Sequence, residues 1–201
     1  MNTTTARVMV PGLASLVLLT LVQNLEAAAS IKEREGRQQD RIAEGIASGE
    51  LTPAEAARLE AREAELRKQI AADRAANGGK LTAAQRKAIE KELDEISRKI
   101  ARNKHDGQRT KAEPKSQVGR REQRQQQRIA EGVQSGELTP AEAARLEARA
   151  AELRRQIAED RGANGGRLTA EQRAQINTEL DQISRRIRAQ KHDAQATPQK
   201  K

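Results

Sequence analysis

The sequence predicts an all-α protein built as two tandem copies of a three-segment helical unit, each with a long antiparallel helix hairpin. Three observations carry that expectation. Residues 41–106 and 128–193 align without a gap at an offset of 87, and 49 of the 66 aligned positions are identical. A repeat of that length is a whole structural unit and not a solenoid turn. Apolar residues recur at helical spacing within each copy, and Gly-containing breaks fall between the periodic stretches at matching places.

The elements follow in chain order. A first helical segment near 31–47 carries Ile42 and Ile46, matched by Ile129 and Val133 in the second copy. Ser48-Gly49 and Ser135-Gly136 end it, because glycine accepts the backbone conformation that follows a helix C-terminus. Next comes Leu51-Thr52-Pro53-Ala54-Glu55, with Thr52 as N-cap, Pro53 in the first turn and Glu55 closing a capping box; Thr139, Pro140 and Glu142 repeat the device. The second segment, near 53–76, sets Leu59, Leu66 and Ile70 on one stripe until Asn77-Gly78-Gly79 stops it. Leu81-Thr82-Ala83-Ala84-Gln85 opens the third segment. There Ile89, Leu93, Ile96 and Ile100 (Ile176, Leu180, Ile183 and Ile187 in the second copy) form a coiled-coil-like seam. The short turn between the second and third segments makes them antiparallel neighbours.

The expected organisation is therefore a signal peptide at 1–29, a helical unit at 30–106, a basic flexible linker at 107–119, a second helical unit at 120–193 and a disordered basic tail at 194–201. Arg7, the apolar run from Val8 to Val22 and the small residues ending at Ala29 have the layout of a secretory leader. Cleavage is expected after Ala29, with Ala27 as the alternative. An uncleaved anchor is the competing reading, but the run is shorter than the roughly 20 residues a span needs, and Pro11-Gly12 interrupt it. The expected location is the periplasm or the medium, with membrane contact only through the leader.

Export normally permits disulfides, yet the chain has no Cys, no Phe, Tyr or Trp, and 33% charged residues. Its fold must stand on aliphatic packing, and each unit offers few large side chains. Ordering a unit costs roughly 1–2 kcal/mol per residue in backbone entropy, so a second surface, from the other unit or from another chain in a homo-oligomer, is expected to complete the core.

The net charge of +9 is concentrated between the units, where residues 107–128 hold seven Lys/Arg against two acids. Arg109, Lys111, Lys115, Arg120, Arg121 and Arg124 are thus the candidate interaction residues. An anionic envelope component or a protein is the expected partner. Nucleic acid is not, since there are no aromatic side chains on which to stack bases.

Reactive constellations are not evident, and no enzyme activity, cofactor or metal is expected. The Gly49-x-Leu51 and Gly79-x-Leu81 turns echo the latter half of an EF-hand loop. Its early ligand positions would fall on Glu44, Ile46 and Ser48, or on Arg74, Ala76 and Gly78, which cannot supply six or more oxygens. A metal-free pairing of the two turns through Leu51 and Leu81 is the expectation instead. The unit ends Lys104-His105-Asp106 and Lys191-His192-Asp193 lack the three or four ligands of a zinc site and suit a helix C-terminus.

The pattern Arg-Ile-x-x-Gly-[Ile/Val]-x-Ser-Gly-Glu-Leu-Thr-x-x-Glu, then Asn-Gly-Gly-x-Leu-Thr, then Lys-His-Asp resembles a group of small exported bacterial tandem-repeat proteins. The likeness covers nearly all of residues 37–195 and implies export. A weaker likeness, through Leu81-Thr82-Ala83-Ala84-Gln85 and Leu168-Thr169-Ala170-Glu171-Gln172, is to periplasmic LTxxQ-motif proteins. That likeness implies a helical chaperone-like or stress-adaptor role. A metal-responsive helix–loop–helix protein and a structural protein holding anionic envelope polymers are the alternative readings.

Overall fold

The computed structural model describes residues 13–109 and 116–192, with side chains from residue 29 onward. Among these the protein is all-α. Its helices are α1 (Leu13–Ser48), α2 (Pro53–Ala76), α3 (Ala83–His105), α4 (Gln117–Ser135), α5 (Pro140–Ala163) and α6 (Ala170–Lys191). Lys111 and Lys115, and the expected tail at 194–201, lie outside the described residues.

Capping sets the boundaries. At Thr52 the backbone N–H donates to Glu55 Oε2 at 2.9 Å, and Glu55 N–H donates back to Thr52 Oγ1 at 3.4 Å. Thr139 with Glu142 repeats the same distances, and Thr82 with Gln85 and Thr169 with Gln172 form amide versions. Four of the helix starts therefore satisfy donors that would otherwise be orphaned. α4 starts at Gln117, inside the stretch assigned to the linker, because Ser116 caps Gly119 N–H at 3.0 Å and Val118 is buried.

The turn from α1 to α2 depends on two glycines. Gly49 adopts φ 71°, a left-handed conformation that costs other residues a steric penalty. Gly45 lies under Leu51: a Cβ there would sit 2.6 Å from Leu51 Cγ. Leu51 N–H also donates to Gly45 O at 2.9 Å, so the chain folds directly back over the end of α1. Gly132, Leu138 and Gly136 reproduce this arrangement.

Helix order within the first half is up, down, up. Arg67 on α2 reaches Glu35 on α1 at 3.3 Å, while Gln39 on α1 reaches Glu60, so α1 and α2 run antiparallel. Arg62 on α2 pairs with Glu92 and Glu95 on α3, again antiparallel. Gln38 Nε2 donates to Leu93 O at 2.6 Å and to Ser97 Oγ at 2.8 Å, and Arg34 pairs with Asp94, which sets α3 alongside α1 in the same direction. Gln125 makes the corresponding bonds to Leu180 and Ser184 at 2.6 and 2.9 Å.

The two halves share one core. α2 packs along α5 and α1 packs along α4, while α3 and α6 flank them on the outside. Ile42, Leu51, Leu59, Ile89, Leu93, Ile96, Ile100, Ile129, Leu138, Leu146 and Leu153 are among the most deeply buried side chains. The surface that completes each half is thus supplied by the other half of the same chain.

The expected contact between Leu51 and Leu81 does not form. Leu51 precedes α2 and Leu81 follows it, and α2 has 24 residues, which at 1.5 Å each separates its ends by about 36 Å. Each leucine is buried at its own end of the bundle.

Candidate functional site

A polar layer runs through the middle of the core. Glu60 and Glu63 on α2 and Glu147 on α5 are fully buried, and Gln38, Gln39, Gln125 and Gln126 from α1 and α4 are buried beside them. Gln39 Nε2 donates to Glu60 Oε2 at 3.1 Å, and Gln126 donates to Glu147 Oε2 at the same distance. The remaining oxygens, Oε1 of Glu60, Oε1 of Glu147 and both oxygens of Glu63, have no hydrogen-bond partner.

Such an environment favours the neutral acid, because burial penalises the ionised form. Burial pushes Glu60 from the ordinary 4.5 to about 7, against the Gln39 hydrogen bond and the field of Arg67. Burial raises Glu63 to about 8, and the carboxylates of Glu60, Glu35 and Glu92 push the same way against Arg67. Glu147 is lifted to about 8 by burial and by Glu60, opposed by Gln126 and Arg154. The layer is asymmetric at one point: the counterpart of Glu63 at the offset of 87 is Ala150.

The outer face of α4 against α6 carries the other notable chemistry. Arg121, Arg124, Gln127, Arg128, Glu131 and Ser184 line a cleft of about 370 Å³. Arg128 donates to Ser184 Oγ at 3.1 Å, and Arg121 donates to Asn177 Oδ1 at 2.9 Å and pairs with Asp181. Partial burial and the neighbouring guanidinium groups of Arg188 and Arg124 press the pKa of Arg128 down, a sign of crowded like charges. Of the sequence candidates, Arg121 and Arg124 line this cleft, Arg120 lies exposed one turn before Arg124, and Arg109 is exposed beyond α3.

The unit ends have a structural role. Lys104 Nζ bridges Glu44 at 3.6 Å and Glu50 at 3.4 Å, and Lys191 reaches Glu137 at 3.0 Å. These lysines tie the ends of α3 and α6 to the turns that follow α1 and α4. Among the described residues no group of three or more His, Asp or Glu is placed to hold a metal ion. No described helix is long and apolar enough to cross a membrane.

In comparisons with known proteins no family model matches the chain, and no curated protein or solved structure is significantly similar to it.

The buried carboxyls escape a reading of the sequence because Glu60 and Glu63 sit within a run of helix-favouring charged residues. Their signal is an apolar stripe on α2 too narrow for a helix touching three others. The cleft arginines of α4, Arg128 included, are visible as the basic stretch 107–128, but Arg188 belongs to the second unit, where acids and bases nearly balance and hide it.

Proposed function

We propose that this protein is a non-enzymatic, exported cell-envelope protein that works as an interaction scaffold and engages anionic envelope components through charged outer helix faces. One observation carries the reading. From Ile31 to Ile187 every Leu, Ile and Val among the described residues lies in the core, with Leu168 alone only partly buried. The outward faces consequently carry Arg, Lys, Glu and Gln with only small Ala side chains between them, and recognition on them runs on charge and hydrogen bonding. That favours an adaptor over a chaperone that captures apolar client segments, which needs an exposed apolar patch. The leader-like residues 1–29 and the likeness of the units to exported repeat proteins support the location.

Cosedimentation of the mature chain with isolated envelope material tests the reading. Retention is expected at about 50 mM salt and is expected to fall as screening shortens the reach of surface charges. Suppression of an aggregating client at equimolar protein, with no envelope retention, would replace the scaffold by a chaperone.

A further inference from the structure

One charged face is confined to the second half. On the face of α4 and α6 that bears the arginine cleft, Arg120 stands where the first half has Glu33, Gln127 where it has Asp40, Asn177 where it has Glu90, and Arg188 where it has Ala101. Each of these four changes moves the face in the positive direction, while Ala174 in place of Lys87, near the start of α6, moves it the other way and leaves a net gain. In the first half Glu33 pairs with Arg37 at 3.8 Å; in the second the same two positions are both arginine. Lys32, replaced by Gly119, falls on the opposite side of the helix at 100° per residue and does not offset the change.

The resulting geometry is a stripe. Arg120, Arg124 and Arg128 follow one another at four-residue spacing, so their Cα atoms rise along α4 by about 6 Å per step and about 12 Å in all. Arg121 flanks them, and Arg188 adds charge from α6, where it acts on Arg128. Ser184 and Gln127 add hydroxyl and amide groups at the cleft, and Glu131 at its far end is the one carboxylate among the lining residues. Guanidinium groups suit oxyanions, which they can engage with two parallel hydrogen bonds. The stripe is longer than one phosphate: Arg124 and Arg128 line the cleft and Arg120 extends it by one exposed turn. The exposed residues of α4 are Arg, Gln and Glu, without the apolar face that an interfacial membrane helix requires.

We propose that the α4–α6 cleft is a binding site for a linear, phosphate-bearing polyanion, seated along Arg120, Arg124, Arg128 and Arg188. The proposal rests on the scaffold reading and specifies its ligand. The first half does not share the site, because Glu33, Asp40 and Glu90 neutralise the matching face.

The test exchanges residues between the halves, so every substituted side chain already occupies the equivalent place in this fold. Titration calorimetry with short-chain inorganic polyphosphate is expected to show one site on the mature protein. The variant Arg120→Glu, Gln127→Asp, Asn177→Glu, Arg188→Ala is expected to bind at least about tenfold more weakly, as electrostatic contacts of this kind are lost. The reciprocal variant Glu33→Arg, Asp40→Gln, Glu90→Asn, Ala101→Arg is expected to bind two equivalents. Unchanged affinity in the first variant overturns the site, as does loss of binding on replacing Arg109, Lys111 and Lys115 by Gln. Binding to phosphatidylglycerol vesicles but not to polyphosphate overturns the ligand class in favour of a membrane surface. Envelope retention without polyphosphate binding sinks this proposal alone; absence of both sinks the scaffold reading as well.

Discussion

Glu60 and Glu147 occupy equivalent positions in the two halves, both fully buried, and the charge of Glu60 raises the proton affinity of Glu147 across the α2–α5 contact. Each is held by a glutamine from the helix beneath it, Gln39 on α1 and Gln126 on α4. The aliphatic core is therefore interrupted by carboxyls whose burial favours the neutral acid, up to about pH 7 for Glu60 and about pH 8 for Glu63 and Glu147.

A pH dependence follows. Below the ordinary value of 4.5 these acids are protonated in both the folded and the unfolded chain, and their full contribution to stability is present. Between 4.5 and the folded values near 7 for Glu60 and near 8 for Glu63 and Glu147, the unfolded chain has released protons that the folded chain retains. Stability therefore falls as pH rises through that window. Exposed acids act the other way at lower pH: Lys191 depresses Glu137 through a hydrogen bond, and Arg155 depresses Glu152 likewise. Thermal melts are expected to give a maximum Tm near about pH 5 and a steady decline to about pH 8. A Tm that rises across that range would contradict the buried neutral layer.

Glu63→Ala is expected to stabilise the protein at neutral pH. Neither oxygen of Glu63 has a partner, and Ala150 shows that alanine is accommodated at the equivalent place. Relieving a buried unsatisfied polar group is worth about 1–3 kcal/mol, with a small cavity offsetting part of it. Urea denaturation should show the midpoint moving up and the pH dependence becoming shallower.

Gly45→Ala is expected to destabilise by about 1–3 kcal/mol through overpacking, since the new Cβ would lie 2.6 Å from Leu51 Cγ. Gly132→Ala should behave the same way against Leu138. Combining Gly45→Ala with Leu51→Ala tests the cause, because the pair should cost less than the sum of the single changes if the clash is between these two residues.

Gln125→Ala removes the bonds from α4 to Leu180 O and Ser184 Oγ. A loss of about 1–3 kcal/mol is expected. Amide exchange should quicken in α6 more than in α2, because Gln125 holds the flanking helix and not the α2–α5 contact.

The helices were legible because their ends are written in local chemistry. The Thr-Pro-x-Glu boxes, the Asn-Gly-Gly stops and the Ile89 to Ile100 seam need no tertiary information. What the sequence hid are relations between segments distant in the chain. Leu51 and Leu81 look alike as turn leucines, yet a helix of 24 residues holds them apart. Glu60 looks like a surface residue until α5 covers it. Gly45 reads as a poor helix residue, and only the return of the chain over α1 explains it. Ser116 extends α4 into a segment whose glycines and charges read as linker. The arginine cleft sits between: its charges were visible, but the face assembles only when Arg188 on α6 meets Arg128 on α4.

The most direct test of the charged-face scaffold is the salt dependence of its retention on isolated envelope material. The logarithm of the binding constant should fall linearly and steeply with the logarithm of salt concentration between about 50 and about 500 mM, as expected when ion pairs with a polyanion are screened. Retention unchanged across that range would mean that ion pairs do not hold the partner and would contradict the charged-face scaffold.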